Sequence, residues 1–129
     1  FFGCDCSNVA IKKAIDKYSN ISFFTHNIKN KFTLTTKFDY IIFGDLLWYI
    51  LDDLELCINN AIEILNTNGK IIFYNAFLKE QRYGKDIIDG FEGLVNFIKT
   101  KFKKINIFYK FKSNFIEYKY LGLVIFSIL

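Results

Sequence analysis

The spacing of apolar positions in the first third of the chain predicts short strands and a helix. Apolar runs at residues 1–4, 21–25 and 38–43 have the length and composition of buried strands. Between the first two, four apolar residues within 10–15 recur at the spacing of one helical face. Ser7 precedes them and can cap the helix. This part of the chain therefore predicts the order strand, helix, strand, strand.

The middle of the chain continues the alternation. Residues 54–65 and 87–102 each carry apolar side chains at helical spacing, so both predict amphipathic helices. Residues 70–74 predict the strand between them. The turn before that strand is polar, and Asn68 or Gly69 can take the positive φ that it needs.

Two further apolar runs, at residues 105–111 and 121–129, have no helix between them. They predict an antiparallel hairpin with its polar turn near residues 112–114. The whole order predicts an α/β fold with a mainly parallel sheet and helices on both faces. Residues 40–43 and 121–129 are almost continuously apolar, as strands buried on both faces are. We expect one domain, residues 1–129.

Composition and charge remove several classes of protein. Hydrophobic residues make up 52% of the chain, so a packed core is expected and disorder is not. The net charge of +4 is spread along the chain, which does not predict a nucleic-acid binder. One modest cluster, read either as a solvated helix end or as a patch for an acidic partner, consists of Lys99, Lys101, Lys103 and Lys104. Neither a membrane-spanning run nor a signal peptide is visible, so a cytoplasmic protein is expected.

The three cysteines predict neither disulfides nor a metal site. An odd number in so apolar a chain is not a disulfide framework. No second Cys or His pair completes a tetrahedral site. We expect Cys4, Cys6 and Cys57 to be buried free thiols.

Polar and aromatic residues follow the predicted strands where each one ends. In open α/β sheets, ligands bind beyond the carboxyl ends of the strands, so these positions form the candidate site. The residues that stand there are Asp5, His26, Asn27, Gly44, Asp45, Leu46, Trp48, Tyr49, Asn75 and Phe77.

Several of these residues also have a purely structural interpretation. Asp5 can accept hydrogen bonds from both hydroxyls of a ribose, or it can cap the following helix. Asp45 can likewise be a helix cap. His26, the only histidine, can be structural rather than catalytic. Trp48 and Tyr49 can belong to the core. The sequence contains neither a GxSxG elbow nor a GxxxxGK[ST] phosphate loop, which argues against the enzymes that use them.

Taken together, these stretches resemble the Rossmann-like methyltransferases that depend on S-adenosylmethionine (SAM). The run Gly3-Cys4-Asp5-Cys6-Ser7, with the helix after it, is similar to the family's second strand and helix, G-x-D-x-S-x-x-x-I-x-x-A. Residues 21–28 look like the third strand. Residues 37–42 (KFDYII) resemble the fourth strand, F-D-x-I-x. Residues 64–72 (ILNTNGKII) resemble the turn L-k-p-G-G-x-l and the fifth strand, with Asn68 in place of the first Gly.

The resemblance implies SAM as the cofactor and suggests which residues contact it. Asp5 matches the acid that holds the ribose. Asn27 stands where the family has Asp or Glu near the adenine amine, so that contact is altered. His26 precedes it, where a backbone N–H meets adenine. The implied cofactor-binding set is Asp5, Cys6, His26, Asn27, Phe43, Gly44, Asp45 and Leu46. In the family, the positions of the last four residues of this set line the methionine part of SAM.

One departure from the family pattern is severe. The family begins with a strand and a glycine-rich loop, G-x-G-x-G, and this sequence starts where the second strand starts. The family's strand order is 3-2-1-4-5-7-6, so the absent strand 1 belongs in the middle of the sheet. We therefore expect this 129-residue chain to be an inactive fragment that binds SAM poorly.

The implied reaction is methyl transfer by in-line displacement to a small-molecule acceptor, such as a sugar or another metabolite. Candidates for a general base are His26 and Asp45. Residues 79–85 would shape the acceptor site or form an exposed loop. The residues expected to contact the acceptor are Trp48, Tyr49, Asn75, Arg82 and Tyr83.

Two alternatives stay open at this stage. An oxidoreductase that binds NAD(P) shares the acidic residue at the end of the second strand, although the closing hairpin argues against it. A non-catalytic domain of the methyltransferase fold is the other, and Asn27 and Asn68 leave room for it.

Overall fold

The computed structural model describes residues 1–102, 104–116 and 119–128. Lys103, from the basic cluster, and Leu129, from the last predicted strand, lie outside the described residues. Two short 3₁₀ turns, Leu47–Tyr49 and Leu51–Asp53, precede the second helix. The strands and helices are β1 (Phe2–Asp5), α1 (Asn8–Lys17), β2 (Ser22–Thr25), β3 (Phe38–Gly44), α2 (Leu54–Glu63), β4 (Leu65–Leu78), α3 (Gly90–Lys101), β5 (Ile105–Ile116) and β6 (Lys119–Ile128).

Local sequence explains where the first helix and the longest strand begin. Ser7 caps α1, because its Oγ accepts a hydrogen bond from Ala10 N at 3.3 Å. Asn68 takes the predicted left-handed conformation, with φ of 65°, inside β4. The register of β4 against β3 shifts between Phe38 and Tyr40, so β4 begins five residues earlier than residues 70–74 predicted.

The strands form two separate sheets. β1 and β2 pair in parallel, and the second sheet has the order β3-β4-β6-β5. Within it β3 and β4 are parallel, whereas β6 runs antiparallel to both β4 and β5. The predicted α/β class and closing hairpin are confirmed, but the sheet is mixed, and the prediction of a mainly parallel sheet was wrong. The cause is the hairpin itself, which inserts β6 between β4 and β5.

The strand order matches the order expected when strand 1 is absent. The pairs β2-β1 and β3-β4-β6-β5 correspond to 3-2 and 4-5-7-6 of the expected full order. Among the described residues, β1 and β3 each have a hydrogen-bonded strand on one edge only. The rings of Phe2 and Phe38 nevertheless meet edge to face, with 5.3 Å between their centroids.

One face of the four-stranded sheet carries the core. Phe73, Phe77 and Phe126 are buried on it, together with Ile58 of α2 and Leu94 of α3. Both helices therefore cover this face. Burial of each of these aromatic side chains stabilises the folded state by about 1.5–3 kcal/mol.

The opposite face of the same sheet is open. Tyr40 is 58% exposed, Ile42 66% and Tyr74 44%. The prediction of helices on both faces, with residues 40–43 buried on both sides, was wrong for this sheet. The reason is that none of the described helices is available to cover the second face: α2 and α3 pack on the first, and α1 contacts β1 and β2.

The hairpin is longer than predicted. Residues 112–114 pair with Gly122, Leu121 and Tyr120 as part of β5 and do not form the turn that their polarity predicted. An edge strand tolerates polar side chains because half of its surface faces water. At the end of α3, Lys101 pairs with Glu55 at 2.9 Å, which supports the interpretation of the basic cluster as a solvated helix end.

The cysteines are free, but only one is buried. Cys57 is completely buried against the core, whereas Cys4 and Cys6 are exposed, so the predicted burial was wrong for those two. β1 forms a two-stranded sheet covered by a small helix with one buried residue, Ile11, which leaves little core to enclose its side chains. Burial, and secondarily the charge of Asp53, raises the pKa of the Cys57 thiol to about 11.

We predict that thiol reagents distinguish these cysteines. At pH 8 the native chain should react fastest at Cys6 and more slowly at Cys4, because partial burial and the charge of Asp5 raise the pKa of the Cys4 thiol. Cys57 should react only after unfolding, because its thiol is inaccessible and its thiolate is disfavoured. Mass spectrometry of alkylated peptides, with and without urea, measures this. Rapid modification of Cys57 in the native chain would contradict the described core.

Candidate functional site

The structure gathers the predicted site residues into two groups. Asp5, Cys6, His26 and Asn27 lie where β1 and β2 end, and the backbone N–H of His26 donates to Asp5 O at 2.9 Å. The second group lies where β3 and β4 end. Its members are Phe43, Gly44, Asp45, Leu46, Trp48, Tyr49 and Asn75. Among the described residues no strand connects β1 to β3, so the two groups belong to different sheets.

Asp5 has the structural role that the sequence left open to it, and its predicted contact with a ribose stays a prediction. Its Oδ1 accepts from Ser7 N at 2.7 Å, a contact that supports the start of α1. A carboxylate has about four lone-pair positions, and this bond uses one of them. The exposed side chain therefore keeps acceptor capacity for the hydroxyls of a ribose.

His26 and Asn27 organise the loop after β2. The His26 ring stacks on Phe32, with 4.2 Å between centroids, and Nε2 lies 3.2 Å from Asn30 O. Because a carbonyl oxygen only accepts, Nε2 is the donor when this contact is a hydrogen bond. Asn27 Oδ1 accepts from Lys29 N at 3.1 Å. The backbone N–H of His26 already pairs with β1, so it is not oriented toward a ligand.

The end of β3 is fixed in an unusual backbone conformation at Asp45. This residue has φ of 50°, and its N–H donates to Tyr74 O at 2.7 Å. Asp45 Oδ1 accepts from Asn75 Nδ2 and from Ala76 N, each at 3.2 Å. The carboxylate therefore joins the end of β3 to β4. Phe43, two residues earlier, is buried and stacks on Phe73 at 4.5 Å, so its ring faces the core.

The buried side chain of Asn75 holds Asp45 through a hydrogen bond. This side chain is completely buried, and its Oδ1 accepts from Leu47 N at 3.4 Å while its Nδ2 donates to Asp45. The amide thus links the turn after β3 to the middle of the sheet. These contacts are with protein groups, so the geometry supports a role for Asn75 in holding Asp45 and the turn after β3. The predicted direct contact of Asn75 with the acceptor stays a prediction.

A pocket of about 290 Å³ opens beside Asp45. The Trp48 indole N–H donates to Ala76 O at 3.0 Å, and its ring meets Phe77 edge to face at 5.5 Å. Of the other residues predicted to contact the acceptor, Tyr83 lines the pocket, whereas Tyr49, 80% exposed, and Arg82 do not. The lining consists of Asp45, Trp48, Ala76, Phe77, Leu78, Gln81, Tyr83 and Lys119.

The loop over the pocket is held by one amide side chain. Gln81 Nε2 donates to Tyr83 O at 3.0 Å and to Ile88 O, and its Oε1 accepts from Gly90 N at 2.9 Å. Gly84 takes φ of 65° in this loop, where a Cβ would lie 1.9 Å from Leu51 Cδ2. The predicted segment 79–85 is therefore an ordered wall of the pocket.

Sequence reasoning missed three lining residues, Ala76, Leu78 and Lys119. Lys119 reaches the pocket because β6 pairs with β4 in the register that sets it opposite Leu78. The alternation of side chains along β4 places Ala76 and Leu78 on the face opposite Phe77. Nothing in the sequence marked these two residues as part of a site. No group of three metal-binding side chains occurs in the part of the chain that the structure describes. None of the described helices is long and apolar enough to cross a membrane.

A model of the family "Nodulation protein S (NodS)" matches residues 5–110. The chain belongs to the NodS family. No protein of curated function matches the sequence.

Solved structures with low sequence identity share the fold. The N-methyltransferase NodS of Bradyrhizobium japonicum WM9 is 16% identical, with a TM-score of 0.66 over 95% of this chain and 71% of that protein. Its complex with S-adenosyl-L-homocysteine is 17% identical, with a TM-score of 0.70 over 95% of this chain and 64% of that protein. A SAM-dependent methyltransferase of Methanosarcina mazei is 12% identical, with a TM-score of 0.72 over 99% of this chain and 81% of that protein. The chain thus spans 64–81% of the length of these proteins.

The family and these structures define the general class. The NodS family is one of methyltransferases, and its cofactor is SAM. The resemblance noted in the sequence is confirmed at this level.

We predict that the buried side chain of Asn75 makes a large contribution to the free energy of unfolding. Asn75→Ala removes the partner of Leu47 N and one donor to Asp45, and should lower the free energy of unfolding by about 2 kcal/mol. Asn66→Ala on the same strand removes an exposed bond to Asp39 and should cost less than ~1 kcal/mol. Urea denaturation of both variants measures the difference. Equal effects would show that the buried amide has no special role.

Proposed function

We propose that the protein of which this chain is part transfers a methyl group from SAM to a small-molecule acceptor bound in the pocket beside Asp45. The observation that carries the proposal is the position of the pocket. It opens where β3 and β4 end, and it combines one carboxylate with aromatic walls from Trp48 and Phe77. The similarity to NodS of Bradyrhizobium japonicum, an N-methyltransferase, favours nitrogen as the accepting atom.

The residues present fit two sides of the cofactor. Asp5, with free acceptor positions on its carboxylate, would hold the ribose. The exposed backbone at Gly44, where a Cβ would meet nothing within 4 Å, leaves room for the methionine part. When bound, SAM supplies an activated methyl group on a cationic sulfur. The remaining cofactor-binding residues predicted from the resemblance, Cys6, His26, Asn27 and Leu46, line the same strand ends.

Asp45 is the better placed of the two candidate bases. It lines the pocket, and its carboxylate is held by Asn75 and Ala76, so it can orient an acceptor and take a proton from it. His26 belongs to the other group of residues, and its Nε2 faces Asn30 O. Positioning of the acceptor by Asp45 and the aromatic walls would supply most of the chain's contribution to the rate.

The described residues do not provide a surface for the cofactor between Asp5 and Gly44. In the part of the chain that the structure describes, β1 and β3 do not pair with each other, and each has a hydrogen-bonded strand on one edge only. We take residues 1–129 as one partial methyltransferase domain, and the chain alone as inactive. The cytoplasmic location expected from the sequence stays a prediction. Of the alternatives, the family match disfavours an NAD(P)-dependent oxidoreductase, whereas a non-catalytic member of the family remains the competing hypothesis.

We predict that the 129-residue chain binds SAM only weakly. Because only two sides of the site are present, isothermal titration should give a Kd above about 1 mM, or a binding free energy weaker than roughly 4 kcal/mol. A chimaera that adds the N-terminal segment of Bradyrhizobium NodS before Phe1 should bind at least ~100-fold more tightly if that segment supplies the strand and glycine-rich loop that the resemblance implies. Micromolar binding by the unextended chain would refute the account of the missing surface.

In that chimaera, we predict that Asp45→Asn lowers kcat/KM for methyl transfer by about 100-fold, the usual range for loss of a general base. Asn keeps an acceptor for Asn75 Nδ2 and Ala76 N, so the fold should persist. Asp16→Asn, on the exposed side of α1, is the matched control and should leave the rate unchanged. A rate unaffected by Asp45→Asn would remove Asp45 from the mechanism. No turnover by a chimaera that binds SAM would favour the non-catalytic hypothesis.

A further inference from the structure

The first two N–H groups of α3 have partners outside the helix. The first turn of any helix leaves its N–H groups without intrahelical acceptors, and a capping side chain usually supplies one. Asp89 precedes α3, and its side chain makes no capping bond in the described structure. Gly90 N instead donates to Gln81 Oε1 at 2.9 Å, and Phe91 N donates to Tyr120 Oη at 3.0 Å. The start of α3 is therefore joined directly to the loop over the pocket.

The donor side of the Gln81 amide is bonded within that loop. Nε2 donates to Tyr83 O at 3.0 Å and to Ile88 O. A primary amide has two N–H groups, so both are used. Ile88 is completely buried, which makes it a fixed point of the loop. The amide thus connects the backbone of Tyr83 to the core and to the start of α3.

Tyr83 has little packing of its own. Its side chain lines the pocket although the residue is 66% exposed, so the ring stands at the open side. The residues after it are anchored independently. Gly84 lies against Leu51, and Gly84 O accepts from Ile87 N at 3.0 Å and from Ile88 N at 2.9 Å. The bond from Gln81 is what extends this anchoring to the carbonyl of Tyr83.

From these contacts we infer that Gln81 is a positioning residue, which acts on the pocket by holding Tyr83 in its wall. The inference rests on the proposed function only in treating this pocket as the acceptor site. Asp45 is held separately, by Asn75 and Ala76, so loss of the Gln81 amide opens the wall and leaves the carboxylate in place. Gln81 therefore controls how closed the pocket is around an acceptor.

Access of a small neutral molecule to the pocket can be measured on the unextended chain. Trp48 is the only tryptophan, and it lines the same pocket as Tyr83. Quenching of its fluorescence by acrylamide at pH 7.5 would be compared among the unmodified chain, Gln81→Ala, Tyr83→Ala and the double variant. Asn96→Ala, on the exposed side of α3, is the matched control. Circular dichroism checks that each variant folds.

We expect Gln81→Ala and Tyr83→Ala each to raise the quenching constant about twofold, and Asn96→Ala to leave it unchanged. The double variant should match Tyr83→Ala alone, because residues that act through one another are not additive. An unchanged constant in Gln81→Ala would overturn the inference. So would a double variant in which the two effects multiply, because Gln81 would then act independently of Tyr83.

Gln81→Glu tests the hydrogen bonds themselves through pH. At pH 7.5 its carboxylate would face two carbonyl oxygens without a donor, so the quenching constant should equal that of Gln81→Ala. These carbonyls favour the protonated acid and raise its pKa above the ordinary value of about 4.3. The protonated form donates one bond, so the constant should fall toward that of the unmodified chain at pH 4.5.

Each constant in this comparison is divided by that of the unmodified chain at the same pH, because Asp45, Asp89 and Lys119 lie nearby in both. Asn96→Asp makes the same change from amide to acid on the exposed side of α3 and should show no such dependence. A ratio for Gln81→Glu that does not change with pH would contradict the assigned hydrogen bonds.

One measurement needs no variant. In the unmodified chain, nuclear magnetic resonance should show the Gly90 amide proton exchanging at least ~100-fold more slowly than in an unfolded peptide, because Gln81 Oε1 accepts it. Free exchange there would overturn the inference even if every variant unfolds. None of these measurements uses SAM. A chimaera without turnover would leave the role of Gln81 standing and the reaction wrong, whereas turnover with unchanged quenching in Gln81→Ala would do the reverse.

Discussion

The four-stranded sheet keeps its place because one of its faces is buried under α2 and α3. Phe43 stacks on Phe73, Phe73 on Phe126, and Phe77 on Tyr120, so neighbouring strands share one aromatic layer. This layer fixes the positions at which β3 and β4 end. The left-handed turn at Asp45 comes directly after β3, and the buried amide of Asn75 on β4 holds it, so the geometry of the pocket depends on where these strands lie.

The smaller sheet is tied to the larger one through the segment between β2 and β3. Asn60 of α2, which is buried, donates to Ile28 O at 2.9 Å. Lys29 pairs with Asp53 at 2.6 Å, a contact that raises the pKa of Lys29, although an exposed pair of this kind is screened by salt. The two groups of candidate site residues are thus connected through a helix and a loop, and the described strands form no continuous sheet between them.

Local chemistry could be read from the sequence, and long-range packing could not. The Ser7 cap and the left-handed Asn68 depend on a few neighbouring residues, and both appear where predicted. The exposure of Tyr40 and Ile42 depends on which helices cover each face, which apolar runs alone do not reveal. The same limit applies to the site. Strand ends pointed to Asp45 and Trp48, whereas Lys119 joined them through a register that only strand pairing defines.

Among the described strands, none pairs with the edge of β3 that faces away from β4, and this has a consequence for how the chain behaves in solution. Seven residues of extended backbone end the sheet there, next to the exposed side chains of Tyr40 and Ile42. A bare, apolar edge is a template for pairing with another molecule, and natural proteins protect such edges with charge, bulges or a covering element. Concentration thereby becomes a determinant of the molecular state, because an edge without a partner strand can pair with a strand of a second copy.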